Sequence, residues 1–287
     1  MKGFLLATVA LAGLAAPAWA ADLAPRYTKA PAIAPVVSYN WTGCYLGGYV
    51  GGATQNRSVN ATDPVAQPGG VFAPGTFYNT PNSNAANGGR FSYDLGSTVI
   101  GGGTLGCNWQ GAGSPWVVGV EGEGGYMRLR GTAVDPFSLG PVVSYGGDTT
   151  ATTRIGEAYG AITGRLGYAW DRVLVYGKAG AGFANVNSSF VDACTTGACG
   201  GGTLNAGRSS DRAFWVAGGG IEYAFDQNWS VKGEYLYLGL RENYAVCGPG
   251  GAAATGSTFC GTSSVDGIHT AKVGLNYRFN TPWLARY

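Results

Sequence analysis

The chain has 287 residues, of which 51 are glycine and only 12% are charged, against roughly 25% in ordinary soluble domains. Its 18 basic and 16 acidic residues give a net charge of +2, which excludes a disordered charged tail and the strongly basic surface of a nucleic-acid-binding protein. The glycines follow no three-residue period, so the chain is not collagen-like.

Residues 1–20 have the pattern of a secretory signal peptide. Lys2 is followed by a short apolar run, and Ala18-Trp19-Ala20 predicts cleavage between Ala20 and Ala21. A transmembrane anchor would need a longer apolar run, and no later stretch is long enough either. The mature protein is therefore expected to be exported, with residues 21–40, rich in Pro and Ala, forming an extended periplasmic segment.

From residue 41 the chain consists of short alternating segments rich in Gly, Val and aromatic residues, with turn residues between them. Each segment is long enough to cross an outer membrane at a tilt, which takes about 9–11 residues. The pattern predicts eight strands, at residues 41–53, 94–109, 115–130, 153–169, 172–186, 212–225, 229–240 and 266–279.

The lengths of the connections indicate the topology. Long and short connections alternate without exception, as they do in an up-and-down outer-membrane barrel with long extracellular loops and short periplasmic turns. A soluble lipocalin-like barrel or a sandwich would not require this asymmetry. The connections are 54–93, 110–114, 131–152, 170–171, 187–211, 226–228 and 241–265.

The alternation within strands separates an apolar face from a charged face. Hydrocarbon cannot solvate ionised side chains, so the charged face is predicted to line the barrel interior. Five acids and five bases are assigned to it: Glu121, Glu123, Glu157, Glu222, Glu234, Arg165, Lys178, Lys232, Lys272 and Arg278. Because an eight-stranded lumen is just wide enough for side chains to fill it, these charges are expected to pair and plug it.

Aromatic residues gather where the strands meet the short turns. This distribution predicts an interfacial girdle, and the alternative is the ordinary core of a sandwich. The residues are Trp41, Trp109, Trp116, Tyr168, Trp170, Phe225, Trp229, Tyr277 and Phe279.

Three motifs resemble those of the porin-like or opacity-like outer-membrane β-barrel proteins of alphaproteobacteria. They are NWTGCYLGG at 40–48, GGGTLGCNWQ at 101–110 and HTAKVGLNYRF at 269–279. The resemblance spans residues 40–279 and implies a barrel at 41–279, a Gram-negative outer-membrane location, surface antigenicity and a role in envelope integrity. Pore formation and haemin binding are attributed to some members of that family.

The chain departs from the family pattern at two places. Cys44 and Cys107 stand where the family usually has aromatic residues, and residues 280–287 extend beyond Phe279, at which these barrels normally end. By the resemblance, a terminal aromatic residue is the assembly signal read by the barrel-assembly machinery, so either Phe279 or Tyr287 is expected to serve.

Six cysteines are present, and an exported protein can oxidise them. Fifteen connectivities are possible, and proximity in the predicted topology favours three pairs. The alternative is metal binding, but no pair has the C-x₂-C spacing. The favoured pairs are Cys44–Cys107, Cys194–Cys199 and Cys247–Cys260.

No motif predicts a catalytic, cofactor or metal site. Glu121 and Glu123 could be an acid/base pair, but their same-face spacing equally fits the ionic interior. His269 lacks a serine two residues away, the arrangement of outer-membrane lipid hydrolases, because those positions are Gly267 and Ala271. The glycine run at 101–103 lies within a strand, so it is not a phosphate-binding loop.

The sequence therefore predicts a non-enzymatic, all-β outer-membrane barrel that supports envelope integrity and cell-surface contact. Its expected partners are outer-membrane lipid and lipopolysaccharide, and no nucleic acid is expected. The 54–93 loop, with four prolines, is the expected contact loop. A small-solute porin, a haemin- or ligand-binding surface protein and a lipid-modifying enzyme remain the alternatives.

Overall fold

A computed structural model of the protein describes residues 39–62, 90–134, 148–194, 202–249 and 258–279. The predicted cleavage site at Ala20 and Ala21 and the extension at 280–287 lie outside these ranges. Within the described ranges, no helix is both long enough and apolar enough to cross a membrane.

The described chain forms nine antiparallel strands. Their bounds are β1 Gly43–Thr62, β2 Arg90–Tyr93, β3 Ser97–Gln110, β4 Trp116–Val134, β5 Asp148–Trp170, β6 Val173–Cys194, β7 Gly202–Ala224, β8 Trp229–Pro249 and β9 Thr258–Phe279.

Pairing between the first and last strands closes the sheet into a barrel. β1 pairs with β9 on one side, and on the other it pairs with both β2 and β3. The short β2 and β3 are thus one barrel strand interrupted at residues 94–96, which gives eight positions around the ring. The predicted fold, an eight-stranded antiparallel up-and-down barrel, is confirmed.

The two ends of the barrel differ in their connections. One end, called the turn end below, carries the connections at 111–115, 171–172 and 225–228, together with residues 39–42 and Phe279. Asp171 in the shortest turn has a φ of 50°, a left-handed conformation that Asp tolerates better than most residues. The other end, called the loop end, is where the described strands stop, at Thr62, Val134, Cys194 and Pro249.

Outward-facing side chains near the turn end form an apolar band. On β5, for example, Trp170, Leu166 and Ile162 are 58%, 56% and 75% exposed. The band covers about ten residues of each strand, or roughly 25 Å at a tilt of about 40°, the height of the lipid-facing band of an outer-membrane barrel. Aromatic side chains edge it near the turns, and a second aromatic row lies at its far edge: Tyr126, Phe183, Trp215 and Tyr235.

The strands continue beyond this band, further than the sequence predicted. β1 ends at Thr62 rather than at 53, and strands extend likewise into the predicted connections 131–152, 187–211 and 241–265, so all four predicted long loops were too long. The missed segments reverse the polarity of the alternation: beyond the predicted end of β6 at 186, Asn187 and Ser189 are partly exposed, whereas Phe190 points inward and is buried. The run of apolar residues on the outer face therefore ends at the edge of the band.

At the loop end the barrel wall divides into two sheets. The described β7–β8 pairing ends at Trp215↔Gly239, and the β3–β4 pairing ends at Gly101↔Tyr126. Beyond these pairs, β2–β1–β9–β8 form one sheet and β4–β5–β6–β7 the other. The two sheets enclose fully buried apolar side chains that include Ile100, Met127, Leu129, Ile155, Phe190, Leu236, Leu238, Leu240 and Ile268.

Candidate functional site

Eight charged side chains meet inside the barrel, in the half nearer the turns. Alternation places them there, because every second residue of a barrel strand faces the interior. They comprise four acids and four bases, each at most 7% exposed: Glu121, Glu123, Glu222, Glu234, Arg165, Lys178, Lys232 and Lys272. We call them the lumenal cluster.

Lys178 lies at the centre of the lumenal cluster. Its Nζ is 2.6 Å from Oε1 of Glu121, 3.0 Å from Oε1 of Glu234 and 3.6 Å from Oε2 of Glu123. Lys232 contacts Glu121 at 2.9 Å. Lys272 contacts Glu123 at 2.7 Å and Glu234 at 3.5 Å. Each of these carboxylates therefore faces more than one ammonium group, which offsets the cost of burying the charges.

A second branch of the cluster is built on Arg165. Its guanidinium donates to Glu222 and stacks on the ring of Tyr176, with 3.5 Å between the guanidinium carbon and the ring centroid. Glu222 also accepts hydrogen bonds from Ser230 at 2.5 Å and Asn276 at 2.9 Å. Arginine suits this position because it can bind a carboxylate and stack on an aromatic ring at the same time.

Tyrosine hydroxyls connect the two branches. Tyr45 donates to Oε2 of Glu121 at 2.5 Å and accepts from Arg165 at 3.2 Å. Tyr176 donates to Oε1 of Glu234 at 2.9 Å. The sequence prediction of interior residues included only charged residues and so missed these tyrosines. Their positions could have revealed them, because Tyr45 and Tyr176 each lie next to an outward-facing apolar residue, Leu46 and Val175, and therefore face inward.

The carboxylates of Glu121, Glu123 and Glu234 lie within 4.8 Å of one another, close enough in principle to share a metal ion. The ammonium groups of Lys178 and Lys232 already contact them, as described above. The donor set therefore does not fit a metal ion, because a cation there would meet neighbouring ammonium charges at short range.

The first described residues close the lumen at the turn end. Trp41 is 2% exposed, and its indole donates to the backbone oxygen of Asp171 at 3.0 Å. Tyr39 packs edge-on against Trp41, and its amide donates to Oδ1 of Asp171 at 2.8 Å. Burial raises the pKa of the Tyr39 phenol. The predicted place of Trp41 in the girdle is therefore wrong, because its ring turns inward under the barrel.

Two of the ten predicted interior charges, Glu157 and Arg278, lie outside the lumenal cluster. Glu157 was expected inside, but its side chain is 56% exposed and binds Arg154 at 3.1 Å. The cause is a β-bulge between Ile155 and Tyr159, where Glu157 has a φ of 88° and turns outward. Arg278 lies at the rim of the turn end and donates to the backbone oxygens of Asn40 and Gln227.

Cys44 and Cys107 lie opposite each other in β1 and β3 and form a disulfide bond, as predicted. Both belong to the outward face that carries Leu46 and Leu105, near the turn end. The register also places Cys247 opposite Cys260. The side chains of Cys194, Cys247 and Cys260, and all of Cys199, lie outside the described part of the structure, so those two pairings stay predictions.

His269 lies on the outer surface at the far edge of the apolar band. Its Nδ1 is 2.5 Å from the Tyr235 hydroxyl, and its Nε2 is 2.8 Å from Oδ1 of Asn56. It therefore has no contact with the lumenal cluster, and its neighbours make it a polar link between β8, β9 and β1.

The sequence is similar to those of known proteins. Residues 6–279 match the family model described as "Outer membrane protein beta-barrel domain". The 31 kDa outer-membrane immunogenic proteins of Brucella melitensis and Brucella suis are each 31% identical over 285 residues, covering 97% of this chain and 100% of theirs.

Solved structures with similarity to the chain include OprG from Pseudomonas aeruginosa and Ail from Yersinia pestis. OprG is 12% identical with a TM-score of 0.43 and covers 85% of this chain and 99% of its own. Ail is 14% identical with a TM-score of 0.34 and covers 83% and 99%. By its family match and its Brucella relatives, the chain belongs to the outer membrane protein β-barrel family and is a protein of the Gram-negative outer membrane.

Proposed function

We propose that the protein is a non-enzymatic, closed barrel that stiffens the outer membrane and presents a contact surface outside the cell. The observation that carries the proposal is the filled lumen. Side chains occupy it in three layers: the Tyr39 and Trp41 cap, the lumenal cluster and the apolar residues between the two sheets.

The electrostatics of the lumenal cluster support a plug rather than a pore. A conducting lumen needs a continuous path of water, and the side chains of Arg165 and Lys178 have no exposed surface. Opposite charges at hydrogen-bond distance join strands that are not adjacent in the barrel, such as β4 and β6 or β5 and β7, and opening a path would separate them in a low-dielectric interior. Such buried, paired charges are expected in a structural protein rather than in a channel.

Planar-bilayer recording tests the closed state against the porin alternative. We expect the pure, folded protein to give no stepwise conductance, whereas a general porin reconstituted in the same way conducts. Steady single-channel steps from the wild-type protein, in preparations free of other barrels, would contradict the proposed plug.

A deletion strain tests the role in the envelope. We expect the strain to become more sensitive to detergent and to large antibiotics, and the wild-type gene to restore resistance. A deletion strain as resistant as its parent would contradict the proposed role.

Lipid analysis of the same strain tests the non-enzymatic assignment. His269 contacts Tyr235 and Asn56 rather than a serine, so we expect the lipid A of the deletion strain to have an unchanged acyl composition. An acyl-chain change that the intact gene reverses would favour a lipid-modifying enzyme instead.

A further inference from the structure

Arginine side chains lie directly beyond the apolar band on one flank of the barrel. On β4, Arg128 and Arg130 follow the exposed Tyr126 by two and four residues and face outward. At about 3.3 Å per residue and a tilt of about 40°, they stand roughly 5 and 10 Å beyond the aromatic row. This is the level at which lipid headgroups meet a membrane-spanning barrel.

The strand register arranges polar residues in one row across this flank. Arg130 is opposite Arg154, Arg154 is opposite Asn187, and Asn187 is opposite Ser209. Together with Arg208, these residues line an open cleft of about 450 Å³ on the sheet β4–β5–β6–β7. The cleft thus offers guanidinium, amide and hydroxyl donors within a single concave surface.

The charges in the cleft are only partly balanced by the acids whose side chains the structure describes. Like charges directly opposite on neighbouring strands are destabilising, so a further anion between Arg130 and Arg154 would stabilise this pair. Arg154 binds Glu157 at 3.1 Å, but no described acid binds Arg130. The neighbouring acid, Asp211, accepts a hydrogen bond from Asn185 at 3.0 Å.

We propose that this cleft binds a phosphate group of lipopolysaccharide in the outer leaflet, with Arg130 and Arg154 as the principal ligands. Arginine forms paired, charge-assisted hydrogen bonds with phosphate, and Asn187 and Ser209 supply further donors. The site faces sideways at headgroup level, where a lipid-borne phosphate is presented at high local concentration. The inference rests on the outer-membrane placement and not on the closed lumen.

Binding of defined lipid A to the full-length protein in detergent micelles tests the proposal. The probes are lipid A with both phosphates, the same lipid after dephosphorylation, and inorganic phosphate as competitor. The variant is Arg130→Gln/Arg154→Gln. Its matched control is Arg57→Gln/Arg241→Gln, which removes two outward arginines that already pair with Asp266 on the opposite flank.

We expect wild-type protein to prefer phosphorylated over dephosphorylated lipid A by at least tenfold. The Arg130→Gln/Arg154→Gln variant should lose most of this preference, whereas the control should stay within about threefold of wild type. Millimolar inorganic phosphate should compete only weakly, because it lacks the membrane anchor.

Three results would overturn the proposal: no phosphate preference in the wild type, equal losses in the two double variants, or full competition by inorganic phosphate. Heat-modifiable gel migration, measured on every sample, reports whether the barrel is folded. Conductance and detergent sensitivity report separately on the closed barrel and its envelope role, so the two proposals can fail independently.

Discussion

Replacing Lys178 with methionine is expected to destabilise the barrel strongly. The substitution keeps an unbranched chain but removes the charge that lies within 3.6 Å of three carboxylates. Four buried acids would then face three buried bases. Removing one partner of a buried ion pair typically costs about 3–5 kcal/mol, so we expect the free energy of unfolding to fall by about that amount.

Urea unfolding in lipid vesicles, followed by tryptophan fluorescence, measures this change. The control is Arg241→Gln, which removes a 73% exposed arginine paired with Asp266 at 3.0 Å and should cost about 0–1 kcal/mol. The double variant Lys178→Met/Glu121→Gln restores equal numbers of buried acids and bases. We expect it to be more stable than Lys178→Met by at least about 1 kcal/mol.

The reasoning would be refuted if Lys178→Met were as mild as Arg241→Gln. That result would mean that water reaches the lumenal cluster and solvates the remaining carboxylates. The lumen would then be open and hydrated rather than closed by side chains.

Three further predictions use the same unfolding assay or direct chemistry. Trp41→Ala should cost about 3–5 kcal/mol, because the buried indole fills the lumen at the turn end, and a loss below about 1 kcal/mol would show that this end is loosely packed. Non-reducing peptide mapping should recover Cys44 linked to Cys107, and recovery of both as free thiols would contradict the disulfide. Leu166→Arg should lower the free energy of unfolding by about 2–4 kcal/mol, because Leu166 lies on the lipid-facing band. Asn243→Arg, at an exposed position beyond the band, should lower it by less than about 1 kcal/mol. Equal losses would mean that the band lies elsewhere.

The strand order and the face that each strand presents to lipid could be predicted from the sequence. Both depend on local signals: the alternation of long and short connections, and the two-residue period within strands. In β9, Lys272 and Val273 already identify opposite faces, because only one of them tolerates hydrocarbon.

The full strand lengths could not be predicted, because the environment outside each strand changes along its length. Lipid requires apolar residues on the outer face, and water requires polar ones, so the outward positions of β6 change from apolar to polar after Phe183. The orientation of Glu157 depends on a bulge, for which Gly156 is the single local sign. The inward turn of Trp41 depends on a contact with Asp171, 130 residues away along the chain.

The strand segments beyond the apolar band form a wall of hydrogen-bonded strands on the outside of the cell. Its polar surface combines side chains from β4, β5, β6 and β7, which are far apart in the chain and adjacent only after folding. An antibody raised against this wall would recognise a discontinuous epitope. Short synthetic peptides copied from any one strand would then fail to capture it, whereas the intact folded barrel would.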